Sequence, residues 1–310
     1  MRALVTGGAG FIGSTLVSAL LEAGAEVSVV DDLSRGRREQ VPPAAQFHQV
    51  DIVGEGLGQA VSTARPDVVF HLAAQIDVRR SVTDPVLDTR INVLGTVNLL
   101  ATCVRMGVRR MVFASSGGAL YGDTDELPTP EGHPCVPASA YGAAKLAGES
   151  YGNVFAQVHG LEFVALRFAN VYGPRQDPHG EAGVVAIFAE RLLDRRDAVI
   201  NGDGGQTRDY VHVDDVVAAN LRAAETDNLG AYNIGTGREC DVNELYSHIA
   251  RAAGVDSPAA HGAAKPGEQR RSRLDITRAA ALLDWHPRVP LEEGISDTVA
   301  WFAARRVGGE

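Results

Sequence analysis

Short apolar runs alternate with longer, one-sided apolar patterns up to about residue 170 of the chain. Runs of roughly four to eight apolar residues are typical of buried parallel strands, and the longer patterns are typical of helices that pack on one face. Because parallel strands need crossover connections, the alternation predicts an α/β fold with a doubly wound parallel sheet and helices on both faces. The strand-like runs are RALVTG, AEVSVVDD, DVVFHLAA, RMVFASS and EFVALRFA.

The second half of the chain has a different texture. Residues 171–183 are rich in the turn formers Gly, Pro and Asp, and a helical pattern follows them. We predict that residues 1–168 form a first domain, to which a segment near 206–233 returns. Residues 169–205 and 234–310 then form a smaller, C-terminal region that binds the substrate.

Composition and charge exclude several classes of function. The chain has 310 residues, 45% of them hydrophobic, which allows a large core. A formal charge of -10 argues against nucleic acid and anionic membrane as partners. No apolar run reaches the roughly 18 residues of a membrane span. Cys103, Cys135 and Cys240 are far apart, so neither a disulfide framework nor a metal site is predicted, and a cytoplasmic setting fits best.

The first chemical motif is a glycine-rich turn, TGGAGFIGS, directly after the first strand-like run. Gly7, Gly10 and Gly13 are spaced three residues apart, with Phe11 and Ile12 opening a helical pattern between the last two. Glycines let the backbone approach a pyrophosphate, whose charge then meets free N–H groups at the positive end of the helix. The motif predicts a Rossmann-like dinucleotide-binding domain.

Two carboxylates at the end of the second strand indicate which dinucleotide binds. Asp31 lies 18 residues after Gly13, where a carboxylate can accept hydrogen bonds from both ribose hydroxyls and would repel a 2′-phosphate. Asp32 follows it directly. NAD is therefore preferred over NADP, although Arg35 lies close enough to accommodate a phosphate.

Tyr141 and Lys145 form the second motif, a Y-x-x-x-K spacing. Residues four apart share one face of a helix, so an ammonium lies near a phenol and lowers the pKa of the phenol from its usual value near 10. The pair predicts a tyrosine that serves as a base at neutral pH. The plainer interpretation is an exposed polar pair on a helix.

Five segments in order, TGGAGFIGS, HLAAQ, SAYGAAK, RFANVYGPRQ and RDYVHVDDV, resemble the extended short-chain dehydrogenase/reductase family. Among its members the sequence is most similar to the UDP-glucose 4-epimerase group of nucleotide-sugar epimerases. The resemblance implies an NAD-dependent isomerase that acts on a UDP-hexose through a transient 4-keto sugar. It also implies a homodimer formed by the helix at 93–107 and the helix of Tyr141.

The resemblance assigns further residues to the cofactor. Asp51 and Ile52 match a pair that contacts the adenine. Asn92 matches a buried polar residue behind the site, and a core asparagine with satisfied hydrogen bonds fits the same position. The end of the strand DVVFHLAA, beside the cofactor, is matched by His71, Leu72, Ala73, Ala74 and Gln75.

Other matches fall on the substrate side. Asn170 corresponds to a residue that contacts the sugar diphosphate, and Arg208 to the arginine that grips it, with a surface ion pair to Asp209 as the alternative role. Lys265 stands where an arginine is usual near the diphosphate. Glu268 corresponds to the acid that holds the uridine ribose.

The sequence departs from the family pattern at the catalytic hydroxyl. The usual serine or threonine falls on Gly117, so that position of the substrate site has no side chain. Ser116, or less directly Ser115, can bring a hydroxyl to O4 of the sugar, and the alternative is that Tyr141 handles the proton alone. Strand-end hydrogen bonding is the plainer role for both serines.

The type of reaction is indicated by two positions, and the identity of the sugar is left open by two others. The acids that related dehydratases and decarboxylases need are replaced by Gly118 and Ala119, so simple C4 epimerisation is expected. Arg191 could meet the carboxylate of UDP-glucuronate, or lie solvated on its helix. A small Ser272 leaves room for UDP-N-acetylglucosamine. UDP-glucose is the preferred substrate, and a non-catalytic dinucleotide sensor is the alternative from another class.

Overall fold

A computed structural model describes residues 1–179, 183–256, 258–264 and 269–307. Seven parallel strands form the main sheet in the order β11-β6-β5-β4-β1-β2-β3. The predicted α/β fold with a doubly wound sheet is confirmed. These strands are β1 (Arg2–Thr6), β2 (Glu26–Asp31), β3 (Gln46–Gln49), β4 (Val68–His71), β5 (Arg110–Ser116), β6 (Glu162–Phe168) and β11 (Gly230–Ile234).

Six shorter strands pair outside the main sheet, β7 with β10, β9 with β12 and β8 with β13. They connect segments that lie between residues 170 and 262 to one another. Their bounds are β7 (Asn170–Tyr172), β8 (Val199–Asn201), β9 (Thr207–Arg208), β10 (Tyr210–His212), β12 (Cys240–Asp241) and β13 (Ala260–Gly262).

Twelve α-helices are described, together with a 3-10 turn at Arg38–Gln40 and a π-helical segment at Arg90–Leu94 that leads into α5. Among the described residues, no helix is both long and apolar enough to cross a bilayer. The helices are α1 (Phe11–Glu22), α2 (Gly56–Ala64), α3 (Val78–Thr83), α4 (Pro85–Thr89), α5 (Gly95–Met106), α6 (Gly117–Leu120), α7 (Ala140–His159), α8 (Val184–Leu193), α9 (Val213–Glu225), α10 (Val242–Ala252), α11 (Thr277–Leu283) and α12 (Leu291–Val307).

Three apolar clusters hold these elements together. One lies between the sheet and α1, α9 and α11, and a second lies on the opposite face beneath α2, α5 and α7. A third joins α8, α10 and α12. Since α9 packs on α1 and β11 extends the main sheet, residues 213–225 and 230–234 lie with the N-terminal layer although they follow β7 and β8 in the chain.

A buried ion pair connects α7 to the neighbouring strand β6. Arg167 donates to both carboxylate oxygens of Glu149, with a shortest distance of 2.7 Å, and the two side chains are 9% and 5% exposed. The same guanidinium donates to the hydroxyl of Tyr121 and to the carbonyl of Glu131. Each charge is therefore neutralised and hydrogen-bonded, which is what burial of an ion pair requires.

We expect Arg167→Met to lower the free energy of unfolding by about 3 to 5 kcal/mol, because it leaves the carboxylate of Glu149 buried without its cation. The double variant Glu149→Met/Arg167→Met should recover part of this loss, since no unpaired charge stays behind. Urea denaturation measures both. The exposed pair Arg251–Glu292 provides the control, and Arg251→Met should cost less than about 1 kcal/mol. Fully additive losses in the double variant would contradict the interpretation.

Candidate active site

The site lies where the strand order reverses, between β1 and its neighbour β4. Loops that follow adjacent strands diverge at such a point and leave a crevice. Gly7, just after β1, has a positive φ of 70°, and a Cβ there would lie 2.7 Å from the backbone nitrogen of Ala73. Only glycine allows the two loops to approach this closely.

The N-terminus of α1 opens into this crevice. Gly10 caps the helix without a side-chain hydrogen bond, and the first turn contains no acidic residue. The amides of Phe11, Ile12 and Gly13 are therefore the first-turn donors at the positive end of the helix dipole. This is the donor set that a pyrophosphate needs, so the residues present fit a dinucleotide.

Asp31 holds the far side of the glycine turn at the end of β2. Its two carboxylate oxygens accept the amides of Ala9 and Leu33, each at 2.9 Å. The side chain is buried, and burial raises the pKa of the carboxyl while the two amides lower it. Each oxygen has a second lone pair, which leaves acceptor capacity for ribose hydroxyls.

Asp32 and Arg35, the charged residues that follow Asp31, interact with other side chains. Asp32 closes a local turn by accepting the amide and hydroxyl of Ser34. The guanidinium of Arg35 lies 3.9 Å from the carboxylate of Asp77 and 4.0 Å from that of Asp177. Two carboxylates therefore surround the cation that a 2′-phosphate would use, which is consistent with NAD.

The remaining cofactor-side predictions cluster around β4. Asp51 is exposed and accepts the amide of Val53, whereas Ile52 is buried. Gln75 and Asn92 exchange backbone and side-chain hydrogen bonds at 2.8 and 2.9 Å. The structure thus shows Asn92 as a satisfied core residue that fixes the strand-end loop Leu72, Ala73, Ala74 and Gln75.

His71, the last residue of β4, is buried between two threonine hydroxyls. Its ring nitrogens lie 2.8 Å from the hydroxyl of Thr6 and 2.9 Å from that of Thr96. Burial and the positive charge of Lys145 lower the pKa of His71 to about 3. A neutral imidazole therefore braces the strand end that borders the crevice.

Tyr141 and Lys145 lie on the face of α7 that meets β5. The helix begins at the Ser139 cap, whose hydroxyl accepts the amide of Gly142 at 3.1 Å. Lys145 is 5% exposed and its Nζ donates to the carbonyl of Ala114 at 2.7 Å. The ammonium lies 5.7 Å from the centroid of the Tyr141 ring.

The predicted lowering of the tyrosine pKa is not seen in this structure. Burial, followed by the negative charge of Asp88, raises the pKa of Tyr141 to about 12. Burial also lowers the pKa of Lys145 to about 8, against the opposing effect of Asp88 and Glu149. The helical spacing identified the pair, but desolvation dominates both groups because the pair faces the sheet.

The two candidate serines have different partners. The hydroxyl of Ser115 donates to the carboxylate of Glu149 at 2.5 Å, within the ion-pair network. The side chain of Ser116 acts instead on Tyr141 and lowers the pKa of the phenol. Ser116 is thus the hydroxyl that reaches the Tyr–Lys pair, and Ser115 serves the fold.

Gly117 cannot carry the usual hydroxyl in this packing. A Cβ there would lie 2.5 Å from Cδ1 of Leu274 and 3.2 Å from the carbonyl of Arg167. Leu274 is 1% exposed and comes from the C-terminal region, where it forms an isolated bridge with Thr129. The space of the missing side chain is therefore filled from a distant part of the chain.

The substrate-side predictions are partly brought together. The side-chain oxygen of Asn170 faces the turn at Gly118, 3.9 Å from where a Cβ would stand. Arg208 begins the strand pair with β12 and donates to the carbonyl of Thr207. Arg191 instead lies exposed in the last turn of α8 and donates to the carbonyl of Asp197.

Two substrate-side predictions, Lys265 and Glu268, lie outside the described residues. Ser272 is described and is 7% exposed. It follows Arg271, whose guanidinium forms a two-point ion pair with Glu239. The segment that carries Ser272 is thereby fixed to the loop before β12.

Comparison with known proteins decides the family. A family model described as NAD dependent epimerase/dehydratase family matches residues 3–235. The chain belongs to this family. The UDP-glucose 4-epimerase of Mycolicibacterium smegmatis is 51% identical over 309 residues, which cover 97% of this chain and 98% of that protein.

Two crystal structures of bacterial relatives in the epimerase/dehydratase family have the same fold. The UDP-glucose 4-epimerase of Thermotoga maritima with UDP-glucose matches with a TM-score of 0.97 and 46% identity, covering 99% of this chain and 100% of that one. The UDP-glucose 4-epimerase of Thermus thermophilus in complex with NAD matches with a TM-score of 0.93 and 46% identity, covering 98% of this chain and 99% of that one.

Three residues of this family member were not identified as important from its sequence. Leu274 fills the position of the usual hydroxyl, and Asp88 changes the pKa of both Tyr141 and Lys145. Asp209 was considered only as an ion-pair partner, yet its buried carboxylate accepts the amides of Thr236, Gly237 and Leu274. The one signal available in advance was the position of Asp88, one helical turn before Asn92.

A double-mutant cycle tests whether side chains at positions 117 and 274 compete for the same space. We expect Gly117→Ser to lower the free energy of unfolding by about 1 to 3 kcal/mol through overpacking, and to cost much less in a Leu274→Ala background. Urea denaturation should give a coupling energy of at least about 1 kcal/mol. The matched control is Gly118→Ser, whose Cβ would make only an ordinary contact with the side-chain oxygen of Asn170 at 3.9 Å. Additive effects of Gly117→Ser and Leu274→Ala would show that the two positions do not compete.

Proposed function

We propose that the chain interconverts UDP-glucose and UDP-galactose by NAD-dependent epimerisation at C4 of the hexose. The observation that carries the proposal is the position of Tyr141, with the Lys145 ammonium 5.7 Å from its ring centroid and Ser116 acting on its phenol from the end of β5, because these groups can move and stabilise a proton. Gly118 and Ala119 follow directly and provide no acid or base for an elimination. Relatives of nearly the same length are UDP-glucose 4-epimerases, which supports the same reaction.

The protein's part in the reaction is proton transfer and charge control. Tyr141, as a phenolate, accepts the proton of the 4-hydroxyl and returns it after the 4-keto sugar has presented its opposite face. Ser116 donates a hydrogen bond to O4 of the sugar and orients this oxygen. Lys145 keeps a positive charge beneath the phenol ring, which favours the phenolate. No net redox change results.

The cofactor is held by the crevice between β1 and β4. The pyrophosphate would accept the first-turn amides of Phe11, Ile12 and Gly13, and the ribose hydroxyls would donate to Asp31. When bound, NAD supplies acceptance and return of one hydride at C4 and a positive charge that favours the phenolate. Asp51 and Ile52 are proposed for the adenine.

The structure bears on the choice of sugar through Arg191. Its guanidinium is exposed and donates to the carbonyl of Asp197, beyond the end of α8, so the group considered as the partner of the UDP-glucuronate carboxylate already binds the protein backbone. UDP-glucose is therefore the better candidate. Asn170 and Arg208 are proposed for the diphosphate, and the small, buried Ser272 is compatible with UDP-N-acetylglucosamine as a slower substrate.

We also propose that two copies of the chain pair through α5 and α7. Tyr151, Val154 and Val158 form an exposed stripe along α7, and Val86 and Leu94 continue it beside α5, with 43 to 78% of each side chain exposed. Residues spaced by three and four share one helix face, and a second copy offers the same apolar stripe. A cytoplasmic location stays a prediction that rests on the cysteine pattern.

The reaction is tested with purified protein and no added cofactor. UDP-glucose, UDP-glucuronate and UDP-N-acetylglucosamine are incubated in parallel, and the 4-epimers are resolved by anion-exchange chromatography. We expect UDP-glucose to be converted fastest. Tyr141→Phe and Ser116→Ala should each reduce kcat by about 10²- to 10⁴-fold, because each removes a proton-transfer group.

A matched control lies on the same helix as the base. Ser150→Ala alters a serine on the exposed face of α7 and should leave kcat unchanged. Full turnover by Tyr141→Phe would exclude the proposed base. Preferential conversion of UDP-glucuronate would contradict the choice of UDP-glucose, because it would require a contact with the sugar carboxylate that the proposed site lacks.

The pairing is tested by light scattering. We expect the unaltered protein to have the mass of a dimer and Val154→Glu to have the mass of a monomer, because a carboxylate in an apolar interface is costly to bury. Leu229→Glu, at an exposed apolar residue before β11, is the control and should stay dimeric. A dimer that survives Val154→Glu would place the interface elsewhere.

A further inference from the structure

Asp88 is a buried carboxylate that the proposed reaction does not use. It lies on the short helix α4 and is 1% exposed. One oxygen, Oδ1, accepts the side-chain amides of Gln75 and Asn92, both at 3.0 Å. Among the described residues, the other oxygen, Oδ2, has no hydrogen-bond partner although it is shielded from solvent. Such an acceptor is costly unless its charge interacts with a nearby cation.

The packing of α4 places that charge against α7. The two helices are in contact, and α3 completes the arrangement through Ser81, whose hydroxyl accepts the amide of Tyr141 at 3.1 Å. A π-helical segment between Asp88 and α5 adds a residue to the turn, and the side chain of Asn92 still bonds to Asp88 four residues earlier. Insertions of this kind are frequent at functional sites.

Among the described residues, the cation whose charge acts on Asp88 is the buried ammonium of Lys145 on α7. The arginines on the packed elements, Arg79, Arg80 and Arg90, are exposed. Glu149 also faces the ammonium, but its charge is balanced by Arg167 at 2.7 Å.

We propose that Asp88 is a positioning residue that acts as the buried counter-ion of Lys145 and keeps the ammonium charged beneath the phenol of Tyr141. The amides of Gln75 and Asn92 hold the carboxylate in place and leave its second oxygen available to the cation. This role rests on the proposed function of the Tyr–Lys pair, but the charge state of Lys145 can be measured without turnover.

The direction of the effect follows from charge. Burial lowers the pKa of Lys145 to about 8 even though Asp88 and Glu149 oppose that lowering, so a neutral residue at 88 should let the pKa fall further. The same negative charge raises the pKa of Tyr141, which should therefore also fall. His71 faces the ammonium as well, but its pKa of about 3 keeps it neutral over this range.

The chain contains two lysines, Lys145 and Lys265, which makes the measurement direct. Protein labelled with ¹³C at the ε-carbon of lysine should give two resonances, assigned with Lys265→Arg. We expect Asp88→Asn to lower the pKa of the Lys145 resonance by about 1 unit, because a neighbouring opposite charge typically contributes that much or more. Asp84→Asn, the exposed cap of the same helix, should not shift it.

Turnover provides the second reading. In the pH profile of kcat for UDP-glucose, both limbs should move to lower pH in Asp88→Asn. A lower kcat with both limbs unmoved, together with an unshifted Lys145 resonance, would overturn the proposal. If Asp88→Asn does not fold, Asp88→Ser is measured in the same way, and failure of both to fold would assign Asp88 to the fold alone. If the unaltered protein does not epimerise any sugar, the resonance shift still decides the role of Asp88.

Discussion

One face of α7 must bury a phenol, an ammonium and a carboxylate, spaced four residues apart, against an apolar sheet. Tyr141, Lys145 and Glu149 each obtain a different partner for this, and much of the surrounding architecture provides those partners. The end of β5 supplies a hydroxyl and a carbonyl, and β6 supplies Arg167. Burying any one of these polar groups alone would cost free energy, but together with their partners they form a satisfied network.

The C-terminal region contributes to the same arrangement from the other side. Asp209 binds the amide of Leu274 and two amides after β11, which fixes the strand-like segment that carries Leu274. That leucine then packs on Gly117 at the start of α6. The C-terminal segment is thus connected to the end of β5 by one apolar contact and one buried carboxylate.

Local pattern was enough to predict the sheet, the glycine turn and the Tyr–Lys pair, because each depends on residues that are close together in the chain. The pKa of Tyr141 was predicted in the wrong direction, since helical spacing places a cation nearby but does not reveal how far the pair is buried. The choice between Ser115 and Ser116 depended on Glu149, which takes one of them. Asp88 and Leu274 act through contacts with distant segments that periodicity does not indicate.

The contact between Gly117 and Leu274 also constrains how such a sequence can change over time. If Gly117 were replaced by serine first, the new side chain would strain the packing against Leu274. If a smaller side chain had already replaced Leu274, the serine would have room. The order of substitutions therefore matters, and the two positions are expected to vary together among descendants of this sequence. The side chain at position 274 can in this way determine which residue at the end of β5 has room for a hydroxyl.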